Sequence, residues 1–235
     1  METAAFHTTR WTLVSQSRGG TPEAQHALSE LCEAYYGPVV AFLRRDGRDD
    51  DAARDLAHSF FAKLLERGSP GDAEPGRGRF RNYLLGAVKH FVANQRRDIA
   101  REKRGGGAEH LALSETTGTS PGTDIADASA SLTDAAFDRD WAVAILDRAL
   151  TSLESDQNGD GTFAILKPWL TPGGHNLSQA DTAKQLGMTE GALKVAIHRL
   201  RKSLRELVRR EILQTLYDPA DLADEMQHLI AALAA

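Results

Sequence analysis

Residues 177–207 read LSQADTAKQLGMTEGALKVAIHRLRKSLREL, and this stretch decides the class of the fold. Ser178 is followed three positions later by an acidic residue, a pattern that caps helices, so we predict a short helix from Gln179 to Leu186. Gly187 suits a turn with positive φ, and Thr189 caps a longer second helix. The order of helix, tight glycine turn and helix predicts a helix-turn-helix.

The spacing within this stretch is typical of two helices that cross closely. Ala183 is small where the crossing is expected, and Leu193, ten residues later, fills the angle between the helices. The remaining face of the second helix is polar and mostly basic, and consists of Glu190, Lys194, His198, Arg199, Arg201 and Lys202. Such a helix can enter the major groove of DNA, with an ordinary helical hairpin as the alternative interpretation.

Charge is segregated along the chain, although the formal net charge is -5. Residues 77–104 hold nine Lys or Arg against two acids, a net of +7, and residues 194–210 hold seven against one, a net of +6. Residues 109–140 hold seven acids and one base. Two basic blocks on either side of an acidic stretch predict two contacts with one long polyanion, with solvated helix faces as the alternative for either block.

Apolar residues recur at helical spacing in most of the remaining chain, and aromatic residues make up only 6%. The predicted helices are a short one around Trp11, one after Thr21 that Gly37-Pro38 bends or interrupts, one opened by Asp49 to Asp51, one or a broken pair from Phe80 to about Arg104, one from about Asp134, and a short distorted one from Phe163 to Leu170. Gly105 to about Ser131 lacks large apolar side chains and predicts a flexible linker.

The end of the chain has its own helix signal. Asp218 is a suitable cap, and Pro219 suits the first helical position. An apolar stripe follows, formed by Leu222, Met226, Leu229, Ile230 and Leu233. Because an isolated helix of this length is marginal in water, its apolar face needs a partner. It either enlarges the core of the preceding helices or has a regulatory role, in which it docks on the first half of the chain or covers a surface that a partner binds.

Three of these segments resemble parts of the extracytoplasmic-function (ECF) subfamily of bacterial sigma factors. Residues 177–201 are similar to the sigma-four domain, which reads the minus-thirty-five promoter element. Residues 51–64, DAARDLAHSFFAKL, resemble the polymerase-binding helix of the sigma-two domain. Residues 80–90, FRNYLLGAVKH, resemble the segment that engages and melts the minus-ten element. The family usually has Asn where His90 stands, and its sigma-four domain ends before the tail of residues 217–235.

The resemblance implies an all-α protein with two small helical domains, sigma-two and sigma-four, joined by a flexible linker and followed by a C-terminal amphipathic helix. The implied domains are a sigma-two domain with an N-terminal extension over residues 1–104, a flexible acidic linker over 105–133, a sigma-four domain with the helix-turn-helix over 134–216, and a C-terminal helical extension over 217–235.

The resemblance also implies three sets of contact residues. Those for the minus-thirty-five element are Ser178, Gln179, Thr189, Glu190, Gly191, Lys194, His198, Arg199, Arg201 and Lys202. Those for the minus-ten element are Arg81, Asn82, Lys89, His90, Phe91, Ala93, Asn94, Gln95, Arg96 and Arg97. Those for core polymerase are Asp51, Asp55, Leu56, His58, Ser59, Phe60 and Lys63. For Phe91, ordinary core packing is the alternative.

The implied function is that of a cytoplasmic sigma factor, which binds core RNA polymerase and directs promoter-specific transcription initiation. Core polymerase and promoter DNA are the implied partners, and an anti-sigma factor is a further candidate partner. Two alternatives are a conventional helix-turn-helix transcriptional regulator, which binds an operator as a dimer, and a degenerate sigma that acts as an interaction protein.

Catalysis and membrane insertion have no support in the sequence. The eight histidines lack metal-ligand spacing, Cys32 is the only cysteine, and no glycine loop precedes a helix in the manner of a phosphate site. We therefore expect no enzymatic activity, no catalytic residues, no cofactor and no metal site. We also expect no membrane insertion, because no apolar run approaches the roughly 20 residues that span a bilayer and the first ten residues lack an export signal.

Overall fold

The structure is a computed structural model that describes residues 9–16, 21–67, 79–103, 128–156, 161–170 and 178–234. Within these ranges the chain is almost entirely helical and forms no strand, which confirms the all-α prediction for this part of the protein. The helices are α1 (Arg10–Gln16), α2 (Pro22–Arg45), α3 (Asp50–Arg67), α4 (Phe80–Lys103), α5 (Ala128–Ser155), α6 (Thr162–Leu166), α7 (Gln179–Gln185), α8 (Glu190–Leu213) and α9 (Leu222–Ala234). Short 3-10 helices follow α6 at Lys167–Leu170 and precede α9 at Pro219–Asp221.

Local signals start α2 and α3 where they were predicted. The Thr21 hydroxyl accepts a hydrogen bond from the Ala24 N–H over 3.2 Å, and Asp49 Oδ1 accepts one from the Ala52 N–H over 2.8 Å. The predicted interruption at Gly37-Pro38 is wrong, because α2 continues through Pro38 to Arg45, and the alternative of a bend stays a prediction. Buried apolar residues on both sides of Pro38 anchor α2 in the core, and this packing outweighs the missing backbone donor.

Two other boundaries differ from the sequence prediction. The alternatives for residues 80–104 resolve to one continuous helix, α4. Helix α5 begins at Ala128, so residues 128–133 of the predicted linker are helical, and its body packs against α2 and α8. Docking of a long apolar stripe can extend a helix into a segment whose composition alone does not favour it. The rest of the predicted linker, residues 105–127, lies outside the described residues.

One large hydrophobic core joins the two predicted domains. Tyr35 of α2, Phe80 of α4, Trp141 of α5 and Ile212 of α8 are all at most 1% exposed and belong to the same cluster. The rings of Phe42 and Phe137 meet edge to face, with centroids 6.2 Å apart. The helices of both predicted domains therefore bury their apolar faces against each other, and the division into two domains stays a prediction.

A second, smaller core lies at the helix-turn-helix. It contains Leu166, Trp169, Ala183, Leu193 and Ile197, and Leu200 packs against both clusters. The 3-10 helix around Pro168 supplies Trp169, so the distortion predicted there contributes to this core. The first half of α8 thus belongs to the small cluster, and its second half belongs to the large core.

Helix α9 packs against α5 and α8. Asp218 caps the preceding 3-10 helix as predicted, since its side chain accepts a hydrogen bond from the Ala220 N–H over 2.8 Å. Leu229 and Ala232 are buried, but the assignment of Ile230 to the packed stripe is wrong, because it is 61% exposed. Glu225 occupies part of the buried arc instead and is fully buried. None of the described helices is both long and apolar enough to cross a membrane.

Candidate nucleic-acid interface

The turn between α7 and α8 has the geometry that the sequence predicted. Gly187 adopts a φ of 65°, in the left-handed region where a Cβ atom is strained. The Met188 N–H donates to the Ala183 carbonyl over 3.0 Å, and the Gly187 N–H donates to the Lys184 carbonyl over 3.2 Å. These bonds satisfy carbonyls that the end of α7 would otherwise leave unpaired.

Side-chain caps fix the start of both helices. The Ser178 hydroxyl accepts from the Asp181 N–H, and the Thr189 hydroxyl accepts from the Ala192 N–H, each over 3.2 Å. Ala183 is 3% exposed at the crossing, and Leu193 is fully buried between the helices. The predicted order of short helix, glycine turn and longer helix is therefore confirmed, and Ala183 and Leu193 are buried as predicted.

The face of α8 that points away from both cores is polar and basic. Exposed on it are the predicted Glu190, Gly191, Lys194, His198, Arg199, Arg201 and Lys202, together with Val195, Arg205 and Arg209. Six of these ten exposed residues are Lys or Arg, so the outward face of α8 is strongly basic. Val195, which is 50% exposed, also lies on this face and was not among the residues that the sequence analysis predicted there.

Arg201 differs from its neighbours on this face. Its guanidinium donates to the Trp169 carbonyl from Nη2 over 2.8 Å and from Nε over 3.1 Å. The side chain therefore holds the end of the 3-10 helix against α8. Arg199 forms no hydrogen bond or ion pair among the described residues and remains available to an external anion.

The residues predicted for polymerase binding lie on α3. Asp51, Asp55, His58, Ser59 and Lys63 are exposed, and Leu56 is half-buried. The assignment of Phe60 to the polymerase contact is wrong, because its side chain is only 4% exposed and packs against the rings of Phe61 and Phe91. His58 also has an internal role, since its Nε2 atom lies 3.0 Å from the Tyr36 hydroxyl.

The residues predicted for the minus-ten element are spread along α4. Asn82, His90, Ala93, Arg96 and Arg97 are exposed, whereas Lys89, Phe91, Asn94 and Gln95 are partly buried. The assignment of Arg81 to the minus-ten contact is wrong for this structure. Its side chain is only 5% exposed and pairs with Glu225 of α9 and Asp138 of α5. In this structure Arg81 has no access to DNA. Lys89 pairs with Asp134 and Arg96 with Asp46, so two further cations of α4 are partly neutralised.

Phe91 combines features of core packing and of an exposed ring. Its centroid lies 5.5 Å from that of Phe60, and the Lys63 ammonium lies 5.2 Å from its centroid. It is partly buried and packs against the large core. The packing alternative is therefore supported, and a contact of Phe91 with a DNA base stays a prediction.

An ionic cluster at the beginning of α4 was not predicted. Glu225 Oε2 lies 2.9 Å from Arg79 Nη1, and Glu225 Oε1 accepts a hydrogen bond from Arg81 Nε over 3.2 Å. The Arg81 guanidinium also lies 5.0 Å from the Trp141 ring centroid. One signal was available in the sequence, because Glu225 lies among the apolar positions of α9, where a carboxylate needs a cationic partner.

The described residues include no group of three or more His, Cys, Asp or Glu that could hold a metal ion. No protein-family model matches the chain, and neither does any curated protein or solved structure. The site is therefore interpreted from its own geometry: a basic helix-turn-helix at one end of the protein, and the exposed faces of α3 and α4 elsewhere.

Proposed function

We propose that this protein is a sigma factor, which binds core RNA polymerase and directs promoter-specific transcription initiation. The observation that supports the proposal best is the helix-turn-helix of α7 and α8, whose caps, glycine turn and buried plug all have the geometry expected of a DNA reader. Nothing in this function requires catalysis, a cofactor or a metal ion.

The proposed minus-thirty-five contact uses the outward face of α8. Gly191, Val195, His198 and Lys202 follow one another along the middle of this face, as their spacing on the helix requires. The residues near the amino end of α8 would reach base edges, and the later Lys and Arg residues would contact phosphates. A Cβ atom at Gly191 would meet only the Thr189 hydroxyl oxygen, at 3.9 Å, so a DNA backbone or base edge could approach α8 closely at this glycine.

The proposed polymerase contact uses the polar side of α3. Asp51, Asp55, Ser59 and Lys63 are exposed, and the apolar side of the same helix faces α2 through Ala53, Ala57 and Phe61. Because the fold is anchored by the buried side, the exposed side is available for a partner. We propose that it docks on the clamp helices of the polymerase, as the resemblance to sigma-two implies.

The proposed minus-ten contact uses the exposed side of α4. Promoter melting requires that unpaired bases of the non-template strand be captured, and extruding a base costs a few kcal/mol. His90, Ala93 and Asn94 are near Phe91 on α4, and the partly exposed Phe91 ring is where a flipped base would stack. Polymerase would hold this surface and α8 together on one DNA, which raises the effective concentration of the second contact.

Two other functions predict different results. A conventional helix-turn-helix regulator would bind DNA through α8 and leave the polar side of α3 unused. The burial of Arg81 favours this regulator over a protein in which α4 and α8 are both free to contact DNA. A degenerate sigma would bind core polymerase without supporting transcription. As a sigma factor, the protein would act in the cytoplasm, and an anti-sigma factor could compete for the same surfaces.

The decisive experiment combines co-purification with run-off transcription. The full-length protein is mixed with bacterial core RNA polymerase and then with fragmented genomic DNA of the source organism. The proposal expects a stable complex and discrete transcripts that require the protein. Binding of DNA without polymerase binding would identify a conventional regulator, and polymerase binding without transcripts would identify a degenerate sigma.

A further inference from the structure

Val195 lies at the centre of the outward face of α8. It is 50% exposed, whereas Leu193, two positions earlier, is fully buried in the small core. At about 3.6 residues per turn, a separation of two residues turns a side chain by about 200° around the helix axis. Gly191 and Lys202 are exposed at nearly the same angle as Val195. The valine side chain therefore points away from the core in the second turn of the helix, among the residues proposed to face DNA.

The chemical character of Val195 differs from that of its exposed neighbours. Lys194 precedes it, and His198 and Arg199 follow three and four positions later. A single exposed apolar residue is common on protein surfaces, so exposure alone assigns no role. The position is informative, because a β-branched residue adds no charge to this face and has a lower helix propensity than Lys or Arg. Neither solubility nor helix formation favours valine here.

The direction of the Val195 side chain is also restricted. β-branched residues in a helix have one strongly preferred χ1 rotamer, so the two methyl groups of Val195 hold a nearly fixed direction. Long side chains such as Lys194 and Arg199 lose more rotamer freedom when a partner orders them. Val195 therefore presents a small, preorganised apolar surface, which suits contact with an apolar group of fixed position.

DNA offers one apolar group of matching size in the major groove. Base edges there present hydrogen-bond donors and acceptors, and among the four bases thymine alone adds a methyl group at C5. Phosphates and the acceptor atoms of the bases suit the cations around Val195. The thymine methyl group is the part of the groove that an aliphatic side chain can cover without leaving a polar atom unpaired.

The surroundings of Val195 permit the close approach that a short side chain needs. Gly191 lies one turn earlier on the same face and has no side chain, so a base pair can come near the backbone of α8 there. On the opposite side of the helix, Leu193 and Ile197 are buried and anchor this turn in the small core. The position of Val195 relative to an approaching base pair is therefore fixed by the fold.

We propose that Val195 is a specificity-determining residue, which packs against the C5 methyl group of one thymine in the DNA element read by α8. This inference deepens the proposed function, since it rests on α8 reading DNA and names the base that one residue selects. The contact distinguishes thymine from cytosine and from uracil, which both lack the methyl group. The neighbouring base edges and phosphates are left to the polar residues of the same face.

Deoxyuridine substitution tests the contact one methyl group at a time. The full-length protein is bound to bacterial core RNA polymerase, and the complex selects duplexes from a random library. Each thymine of a selected duplex is then replaced singly by deoxyuridine, which removes only the C5 methyl group. We expect one replacement to weaken binding of the wild-type complex by about fourfold, the effect of losing one buried methyl group. For Val195→Ala, the same replacement should have no further effect, because the partner of that methyl group is already removed.

Val143→Ala is the matched control for this scan. Val143 is also an exposed valine within a helix, since it is 43% exposed on α5, and it lies outside the helix-turn-helix. This variant should keep the wild-type response to every replacement. Because each variant is compared with itself on two duplexes, any change in its stability cancels from the comparison.

The outcomes separate the thymine contact from the proposed function. If deoxyuridine affected wild type and Val195→Ala equally at every position, Val195 would not contact a thymine methyl group, and the inference would be overturned. The same holds if no replacement weakened binding of the wild-type complex. A complex that forms but selects no duplex would contradict DNA reading by α8, and the thymine contact with it. If no complex with polymerase formed, the sigma function would be contradicted, and the same scan on the protein alone would test Val195.

Discussion

Glu225 Oε1 accepts a hydrogen bond from Arg81 Nε over 3.2 Å, and this bond joins two buried residues that are 144 positions apart in the chain. Glu225 belongs to α9, and Arg81 lies at the beginning of α4. The contact therefore connects two distant segments of the chain through a buried charge. Removing one partner of this buried ion pair should lower the free energy of unfolding by a measurable amount.

We expect Glu225→Ala to destabilise the protein by about 3–5 kcal/mol, because the buried Arg81 would keep its charge with only Asp138 to balance it. Asp224→Ala is the matched control, since Asp224 is the exposed neighbour on the same helix. Its effect should be within about 0.5 kcal/mol. Urea denaturation measures both, and equal losses for the two variants would show that the buried pair has no special role.

Alanine substitutions at Arg199 and Arg201 should differ in their effects on DNA affinity and on the melting temperature. Arg199→Ala should weaken binding to a duplex selected from a random library without changing the melting temperature. A lost base contact costs about 1–3 kcal/mol, and a lost phosphate contact lowers the salt slope by about one. Arg201→Ala should lower the melting temperature as well, because it frees the Trp169 carbonyl. Unchanged affinity and salt dependence for Arg199→Ala would remove that residue from the interface.

Substitutions of two glycines by alanine should have opposite signs. Gly187→Ala should destabilise the protein by about 1–2 kcal/mol, because an L-residue is strained at its φ of 65° although space is available. Gly86→Ala, in the exposed middle of α4 and also with open space, should stabilise by about 1 kcal/mol through helix propensity. Chemical denaturation tests the pair. Destabilisation by both would mean that Gly86 is needed inside the fold.

Stability should fall at alkaline pH in part through Cys32. Burial, reinforced by nearby Glu33, raises the pKa of its thiol from 9.0 to about 12, and burial also raises the pKa of the Tyr35 hydroxyl. Because the unfolded thiol loses its proton first, the contribution of Cys32 is complete below pH 9 and is lost as the pH rises towards 12, by at most about 1.4 kcal/mol per pH unit. The unfolding free energy of wild type, measured by urea denaturation, should therefore fall more steeply with pH over this range than that of Cys32→Ala, and parallel pH profiles would contradict the assignment.

The polymerase assignment of α3 can be tested by charge reversal. Asp55→Lys should reduce binding to core polymerase at least about tenfold, because a like charge at an interface opposes association by more than about 1.4 kcal/mol. Glu33→Lys, at an exposed position of α2, is the matched control and should bind normally. Surface plasmon resonance with immobilised core polymerase measures both variants. If Asp55→Lys kept normal affinity and an unchanged melting temperature, α3 would not be the docking helix.

The local architecture was determined by the sequence itself. The N-caps at Ser178, Thr189 and Thr21, the glycine turn at Gly187 and the plug at Leu193 lie where local patterns predict them. These features depend on residues within about four positions of one another, so hydrogen bonding and φ preferences specify them without any distant contact. The same is true of the basic face of α8, which follows from helical periodicity alone.

Tertiary structure decided how these pieces meet. The continuity of α2 through Pro38, the early start of α5, the exposure of Ile230 and the burial of Phe60 and Arg81 all depend on which surfaces pack together. Glu225 shows the physical reason most clearly. Its charge is tolerated in the core only because Arg79 and Arg81, more than 140 positions away, arrive at the same place, and no local pattern encodes that encounter.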